Sequence, residues 1–167
     1  MKFKEQSAIY QKDIALTRWM AKYGVTFLRI SVGIVFFWFG FLKYFPGLSP
    51  ATDLAITTID MLTFGIITGQ TALYILATWE VAIGIGMIFG IYLRETIFLL
   101  FFQMLGTITP LFLFPLEAFT VIPFGPTLEG QYIIKNIVIV SAAIVVGATV
   151  RGGRLVADPE KIREKYE

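Results

Sequence analysis

Residues Thr71–Leu93 read TALYILATWEVAIGIGMIFGIYL, an apolar run broken by a single carboxylate, Glu80. The hydrocarbon core of a bilayer is about 30 Å thick and takes roughly 20 apolar helical residues to cross, so this run is long enough to span it. Apolar side chains occupy every face of the run, whereas a helix on the surface of a soluble domain would keep one polar side. Three runs of the same kind accompany it: Gly24–Lys43 (GVTFLRISVGIVFFWFGFLK), Ile97–Phe114 (IFLLFFQMLGTITPLFLF) and Gln131–Val150 (QYIIKNIVIVSAAIVVGATV). The expected architecture is therefore all-α: one membrane domain over residues 1–167, a polytopic four-transmembrane-helix bundle.

Composition agrees and narrows the chemistry. The 167 residues are 56% hydrophobic and 16% charged, against about 25% charged in an ordinary soluble domain. Cysteine and histidine are both absent. That removes disulfides, iron–sulfur clusters, zinc and copper sites, His-ligated haem and the Ser–His and Cys–His catalytic pairs. No metal site, no catalytic set and no intrinsic cofactor is expected, and the partners anticipated are the lipid bilayer and neighbouring membrane subunits or further copies of the chain, with no nucleic acid.

An even number of spans returns both termini to one side, and basic residues mark that side as cytoplasmic. Eleven of the fourteen lysines and arginines belong to the terminal segments 1–23 and 151–167 or to the Arg94 turn; Arg29 lies within a span, and Lys43 and Lys135 fall at the opposite side. The expected location is a bacterial inner (plasma) membrane with both termini cytoplasmic. The first run is long enough to span and lacks an A-x-A cleavage site, so it reads as a retained helix and not a signal peptide. The turn Arg94-Glu95-Thr96 is short enough to make the second and third spans an antiparallel hairpin. In the first outer segment, Ser49-Pro50 has the form of a helix N-cap followed by proline, and the residues after it fit a short helix lying on the membrane face. The second outer segment, PLEAFTVIPFGPTLEG, reads as an ordered loop. Pro110 is expected to kink the third span, and DPEKIREKYE at the end of the chain fits a short charged helix.

A charge at mid-membrane costs at least about 2.5 to 3.5 kcal/mol on insertion scales, so each needs a partner or a task. The polar residues in question are Arg29, Lys43, Glu80, Gln103, Lys135 and Asn136. Glu80 lies about 13 Å below the outer boundary and Lys135 about 6 Å, with Lys43 at the boundary itself. Helical side chains lean toward their own N-terminus, which turns Glu80 outward to the two lysines and lets Arg29 snorkel to the cytoplasmic face. The expected site is thus Lys43, Glu80 and Lys135, with Trp38, Trp79 and Asn136 near it and Glu117 and Glu129 closing it from the loop. Two lysines against one acid favour a pocket for a quinone headgroup, a lipid headgroup or a small anion. The structural alternative is that the lysines are interfacial anchors and Glu80 is merely neutralised by one of them.

The stretches LRISVGIVFFWFGFLKYFPG, WEVAIGIGMIFG, QMLGTITPLF and PTLEGQYIIKNIVIVSAA together resemble the DoxX-like membrane proteins, in particular the YkgB-like branch. The most specific parts are the G-x-x-K of Gly40–Lys43 and EGQYIIKN around Lys135. The resemblance covers about residues 23–153 and implies a four-helix inner-membrane bundle. It also implies an association with a terminal quinol oxidase and with thiosulfate:quinone oxidoreductase, and supplies no catalytic residues. The leading expectation is a non-catalytic accessory subunit of a respiratory or envelope membrane complex, offering a quinone or lipid headgroup pocket on the outer side. The alternatives are a quinone-interacting component of a redox enzyme and a small transporter or lipid-binding protein.

Overall fold

A computed structural model describes residues 8–157. The expected tail helix after Ala157, and the basic residues at both extreme ends, lie outside the described residues. The elements in order are α1 (Ala8–Leu42), α2 (Thr52–Leu62), α3 (Gly69–Phe89), α4 (Leu93–Ile108), α5 (Pro110–Leu113), α6 (Pro115–Ala118), β1 (Phe119–Val121), β2 (Gly125–Pro126) and α7 (Leu128–Thr149). Four stretches are long and apolar enough to cross a membrane: Gln11–Leu42, Gly69–Phe89, Leu93–Leu113 and Leu128–Thr149. The protein is a multi-pass, all-α membrane protein.

The helix boundaries follow local chemistry more than hydropathy. α1 contains no proline and runs back to Ala8, well before the apolar run begins at Gly24. It ends in single-turn hydrogen bonds from the amides of Lys43, Tyr44 and Phe45 to the carbonyls of Gly40, Phe41 and Leu42, after which Pro46 has no amide to continue them. α3 closes at Gly90, whose φ of +72° suits glycine; the amides of Gly90 and Ile91 both donate to Gly86 O, a glycine helix stop. The tight turn is consequently Gly90-Ile91-Tyr92, and Arg94-Glu95-Thr96 belong to the first turn of α4. α7 begins at Leu128 because the Thr127 hydroxyl accepts the amide of Gly130 at 3.2 Å, an N-cap that apolar counting passes over.

The N-cap expected at Ser49 is replaced by another arrangement. Ser49 Oγ donates to Pro50 O and Thr52 Oγ1 donates to Ser49 O, so the serine oxygen holds no helix amide. Ala51, at φ +54°, turns the chain, and α2 starts only at Thr52. The second outer segment is more ordered than a loop: α6 leads into a hairpin of β1 against β2, with a cis Ile122–Pro123 bond at its tip. The kink expected at Pro110 is present as the break between α4 and α5 at Thr109, since proline supplies no amide to the preceding turn.

Among spans there is no hydrophobic drive like that in water, so contact rests on close packing of small residues. Gly33 and Gly40 of α1 and Gly84 of α3 meet backbone to backbone: a Cβ on Gly84 would stand 2.7 Å from Phe37 Cα, and one on Gly33 would stand 2.8 Å from Ile88 N. Gly86, on another face of α3, takes the Thr96 side chain of α4. Gly90, at the end of α3, faces Arg29, and Ala82 is exposed. The central core joins Val32 and Phe36 to Ile83 and Met87, Leu100 and Met104, and Ala142, Ala143 and Val146.

Candidate functional site

Gly40 sets the site. A Cβ there would lie 2.7 Å from Glu80 Cβ and 2.9 Å from Val81 N, so only glycine allows α1 to touch α3 at this level. Lys43 follows three residues later on the same side of the helix. Its ammonium reaches Glu80 Oε2 at 2.6 Å and also donates to Phe39 O at 3.3 Å. This is why glycine and lysine occur at this spacing: one brings the helix axes together, and the other exploits the approach.

The second carboxylate oxygen is held from the opposite side. Gln103 of α4 donates Nε2 to Glu80 Oε1 at 2.9 Å. Glu80 thus links three spans, receiving a charged donor from α1 and a neutral donor from α4. Both side chains of the ion pair are nearly closed to solvent, at 11% and 12% exposure, and it is the only ion pair among the described residues. Gln103 is itself 9% exposed, and its Oε1 is buried without a hydrogen-bond partner. Because Glu80 as a carboxylate only accepts, reversing the amide would destroy the bond to Glu80. The orientation is fixed, and a free acceptor is left inside the bundle.

Trp79 tightens the same junction. Its indole Nε1 donates to Leu99 O at 3.2 Å and its ring stacks on Phe102 at 5.6 Å, locking α3 to α4 one residue from Glu80. Above the ion pair, the Tyr44 hydroxyl meets Thr78 Oγ1 at 2.8 Å, and the Tyr44 ring stacks on Tyr74.

The other expected members stand apart. Lys135 is exposed, with its ammonium 5.9 Å from the centroid of the Tyr132 ring. It makes no contact with Glu80, so the anticipated three-residue charge cluster is a pair completed by Gln103. The reason is how α7 packs: Gly130 is buried at one end and Ala142, Ala143 and Val146 in the other half, but no residue from Gln131 to Ser141 is buried. The stretch carrying Lys135 and the half-buried Asn136 is only partly covered, with Ile139 and Val140 reaching the core further along. Trp38 is 60% exposed. Glu117 is exposed and Glu129 half-buried, and neither closes onto a lysine.

Gln103 and Tyr44 are the residues that sequence reasoning left out of the site. Gln103 was visible as an intramembrane amide, and its usefulness to Glu80 follows from the short α3–α4 turn, which aligns the two helices antiparallel. Tyr44 carried no signal beyond its place next to Lys43. At the other end of the bundle, Arg29 donates Nη1 to Met87 O and, at 3.2 Å, to Ile88 O. It therefore caps the C-terminus of α3, where a cation complements the helix dipole.

No curated protein and no solved structure matches this chain. Residues 24–115 match the DoxX family model, a stretch that contains Gly40, Lys43, Glu80 and Gln103 and stops short of Lys135 and Asn136. Since that stretch exceeds half of the 167 residues, the protein whose spans are joined by this buried triad belongs to the DoxX family.

Proposed function

We propose that this protein is a non-catalytic accessory subunit of a respiratory or envelope complex in a bacterial inner membrane, and that the Lys43–Glu80–Gln103 junction receives the polar headgroup of a quinone from the outer side. The observation that carries this reading is the buried, unpartnered Gln103 Oε1 beside an ammonium with one further donor. Lys43 offers a hydrogen bond to a quinone carbonyl, and Gln103 Oε1, closed off in this packing, would accept one from the hydroxyl of the reduced form where α1 and α4 part to admit it. A quinone would supply two-electron redox chemistry, which side chains lacking cysteine and histidine do not offer through an ordinary metal centre. What this chain contributes is position: Gly40 and Gly84 hold α1 against α3, Trp79 holds α3 against α4, and the carboxylate of Glu80 keeps both donors pointed inward.

The distribution of basic residues supports cytoplasmic termini and, with them, a Lys43 end at the outer face. Solubilisation in a mild detergent, followed by native mass spectrometry and organic extraction, tests both halves of the proposal. Near-stoichiometric quinone together with co-purifying redox subunits is the expected result. Phospholipid alone, with no partner chain, would point to the lipid-binding alternative and overturn this one.

A further inference from the structure

At the opposite end of the bundle from Lys43, where α4 begins and α7 ends, a cleft of about 230 Å³ is lined by Arg94, Ile97, Gly147, Val150 and Arg151. An adjoining cleft shares Arg94 and adds Glu95, Phe98 and Leu99. Neither arginine forms an ion pair or a side-chain hydrogen bond with any described residue. Arg151, just beyond the C-terminal end of α7, is where a helix dipole welcomes a cation. Arg94 has no such reason: it sits in the first turn of α4, where the dipole disfavours positive charge, and Tyr92 at the N-cap supplies no side-chain cap. Two guanidiniums without a partner among the described residues and an open helix start converge on one recess, which calls for an anion.

The rest of the lining indicates what kind of anion. Ile97, Gly147 and Val150 are apolar, and the neighbouring cleft continues onto Phe98, which is 68% exposed on a helix that spans the membrane. A free phosphate would gain nothing from these surfaces. An amphipathic molecule with a charged head and acyl chains would use both. We infer that the Arg94–Arg151 cleft is a binding site for an anionic phospholipid, with its phosphodiester between the two guanidiniums and an acyl chain along Phe98 and Leu99. A basic recess between spans at the membrane surface is suited to such headgroups, and guanidinium favours bidentate contact with phosphate oxygens. Glu95 lines the adjoining cleft and not the one that Arg151 lines, so the recess holding both guanidiniums has no carboxylate in its lining. The inference does not depend on the quinone proposal, since the two sites are at opposite ends of the bundle.

Gly147 provides a steric test. A Cβ there would find only Ile97, at 3.8 Å and 4.0 Å, which is ordinary contact, so Gly147→Ala is tolerated while Gly147→Leu fills the recess. The protein is reconstituted in phosphatidylcholine nanodiscs doped with phosphatidylglycerol, and the enrichment of phosphatidylglycerol is read by native mass spectrometry alongside the rise in Tm. Arg94→Gln and Arg151→Gln should each weaken that enrichment about fivefold, the factor for one basic side chain at an anionic lipid surface. Gly147→Leu should abolish it, Gly147→Ala should retain it, and Arg154→Gln, which removes an exposed arginine outside the cleft, should leave it unchanged. Undiminished enrichment in the three cleft variants overturns the site. Equal loss in Arg154→Gln also does so, because it indicates a diffuse basic belt. Equal enrichment of phosphatidylethanolamine removes the selectivity for anionic lipid, and a matching Tm rise with inorganic phosphate alone replaces the lipid with a free anion. Where Gly147→Leu fails to fold, the changes at Arg94, Arg151 and Arg154, all exposed, still decide between the cleft and a diffuse belt.

Discussion

The ammonium of Lys43 lies 2.6 Å from the carboxylate of Glu80 because Gly40, one helical turn earlier, presents no side chain to α3. The pair is a consequence of the helix contact, and it also reports on it. Removing either partner and widening the contact are separate perturbations with different expected outcomes.

Lys43→Ala leaves Glu80 with only the neutral Gln103 donor. Breaking one side of a buried pair strands a charge and costs about 3–5 kcal/mol. Glu80→Gln is milder, since the new amide still accepts from Lys43 and the lysine is close enough to the helix end to turn outward. Thermal unfolding in detergent should rank wild type above Glu80→Gln and Glu80→Gln above Lys43→Ala, with Lys43→Ala/Glu80→Gln recovering part of the loss. Equal, negligible effects of the two single changes would sink the pairing.

The α1–α3 contact is tested by adding methyl groups. A Cβ on Gly84 meets the backbone of Phe37 and one on Gly40 meets Glu80 Cβ and Val81 N, so the helices must part. Overpacking of this kind typically costs about 1–3 kcal/mol. Gly106→Ala and Gly24→Ala are the controls, because nothing lies within 4 Å of a Cβ at either position. Gly40→Ala and Gly84→Ala should lower Tm clearly while the controls do not; four similar values would mean that the helices are not in close contact in the membrane.

The four spans were legible in the sequence because twenty apolar residues on every face leave few other readings. The Lys43–Glu80 pair was legible too, since depth along a helix is countable. Lys135 shows where such counting ends. Depth places it level with the outer-side charges, but its partners depend on how far α7 stands from its neighbours, and that is set by the Gly130 contact with Ala118 and the alanines further along. Element boundaries were missed for local reasons: Gly90 stops α3 with its positive φ, Thr127 starts α7 with its hydroxyl, and Ala51 delays α2. The β1–β2 hairpin is too short for an alternation pattern to stand out.

Gln103 separates a structural from a polar-site role. Gln103→Leu removes the donor to Glu80 and also the unpartnered Oε1, so the loss of one hydrogen bond to a charged group, about 1.5–3 kcal/mol, is partly offset. Gln103→Glu places a second carboxylate against Glu80 and should be the more damaging change. Thermal unfolding checks the order, and the reverse order would show that Glu80 does not face Gln103 as a carboxylate.

Arg29 should behave as a helix cap. Its guanidinium holds the carbonyls of Met87 and Ile88 at the end of α3, a position worth up to about 2 kcal/mol for a partly buried cation. Arg29→Gln should lower Tm by an amount comparable to a lost cap and should raise amide exchange in residues 86–92 specifically. Uniform exchange throughout α3 would locate the loss in packing and not at the helix end.

The orientation of the bundle decides which face the Lys43 junction addresses, and the absence of cysteine makes it directly measurable. Leu48 and Phe124 are exposed in the two connections at the Lys43 end, and Ile91 is exposed in the α3–α4 turn at the other. Single cysteines at these positions give three reporters on an otherwise unreactive chain. Eleven of the fourteen basic residues belong to the terminal segments or to Arg94, and the positive-inside rule predicts that the Ile91 end faces the cytoplasm. A membrane-impermeant maleimide applied to spheroplasts should label Leu48→Cys and Phe124→Cys immediately and Ile91→Cys only after permeabilisation. The opposite pattern would turn the Glu80 junction inward and remove the outer-side quinone proposal, while leaving the helix contacts and the ion pair untouched.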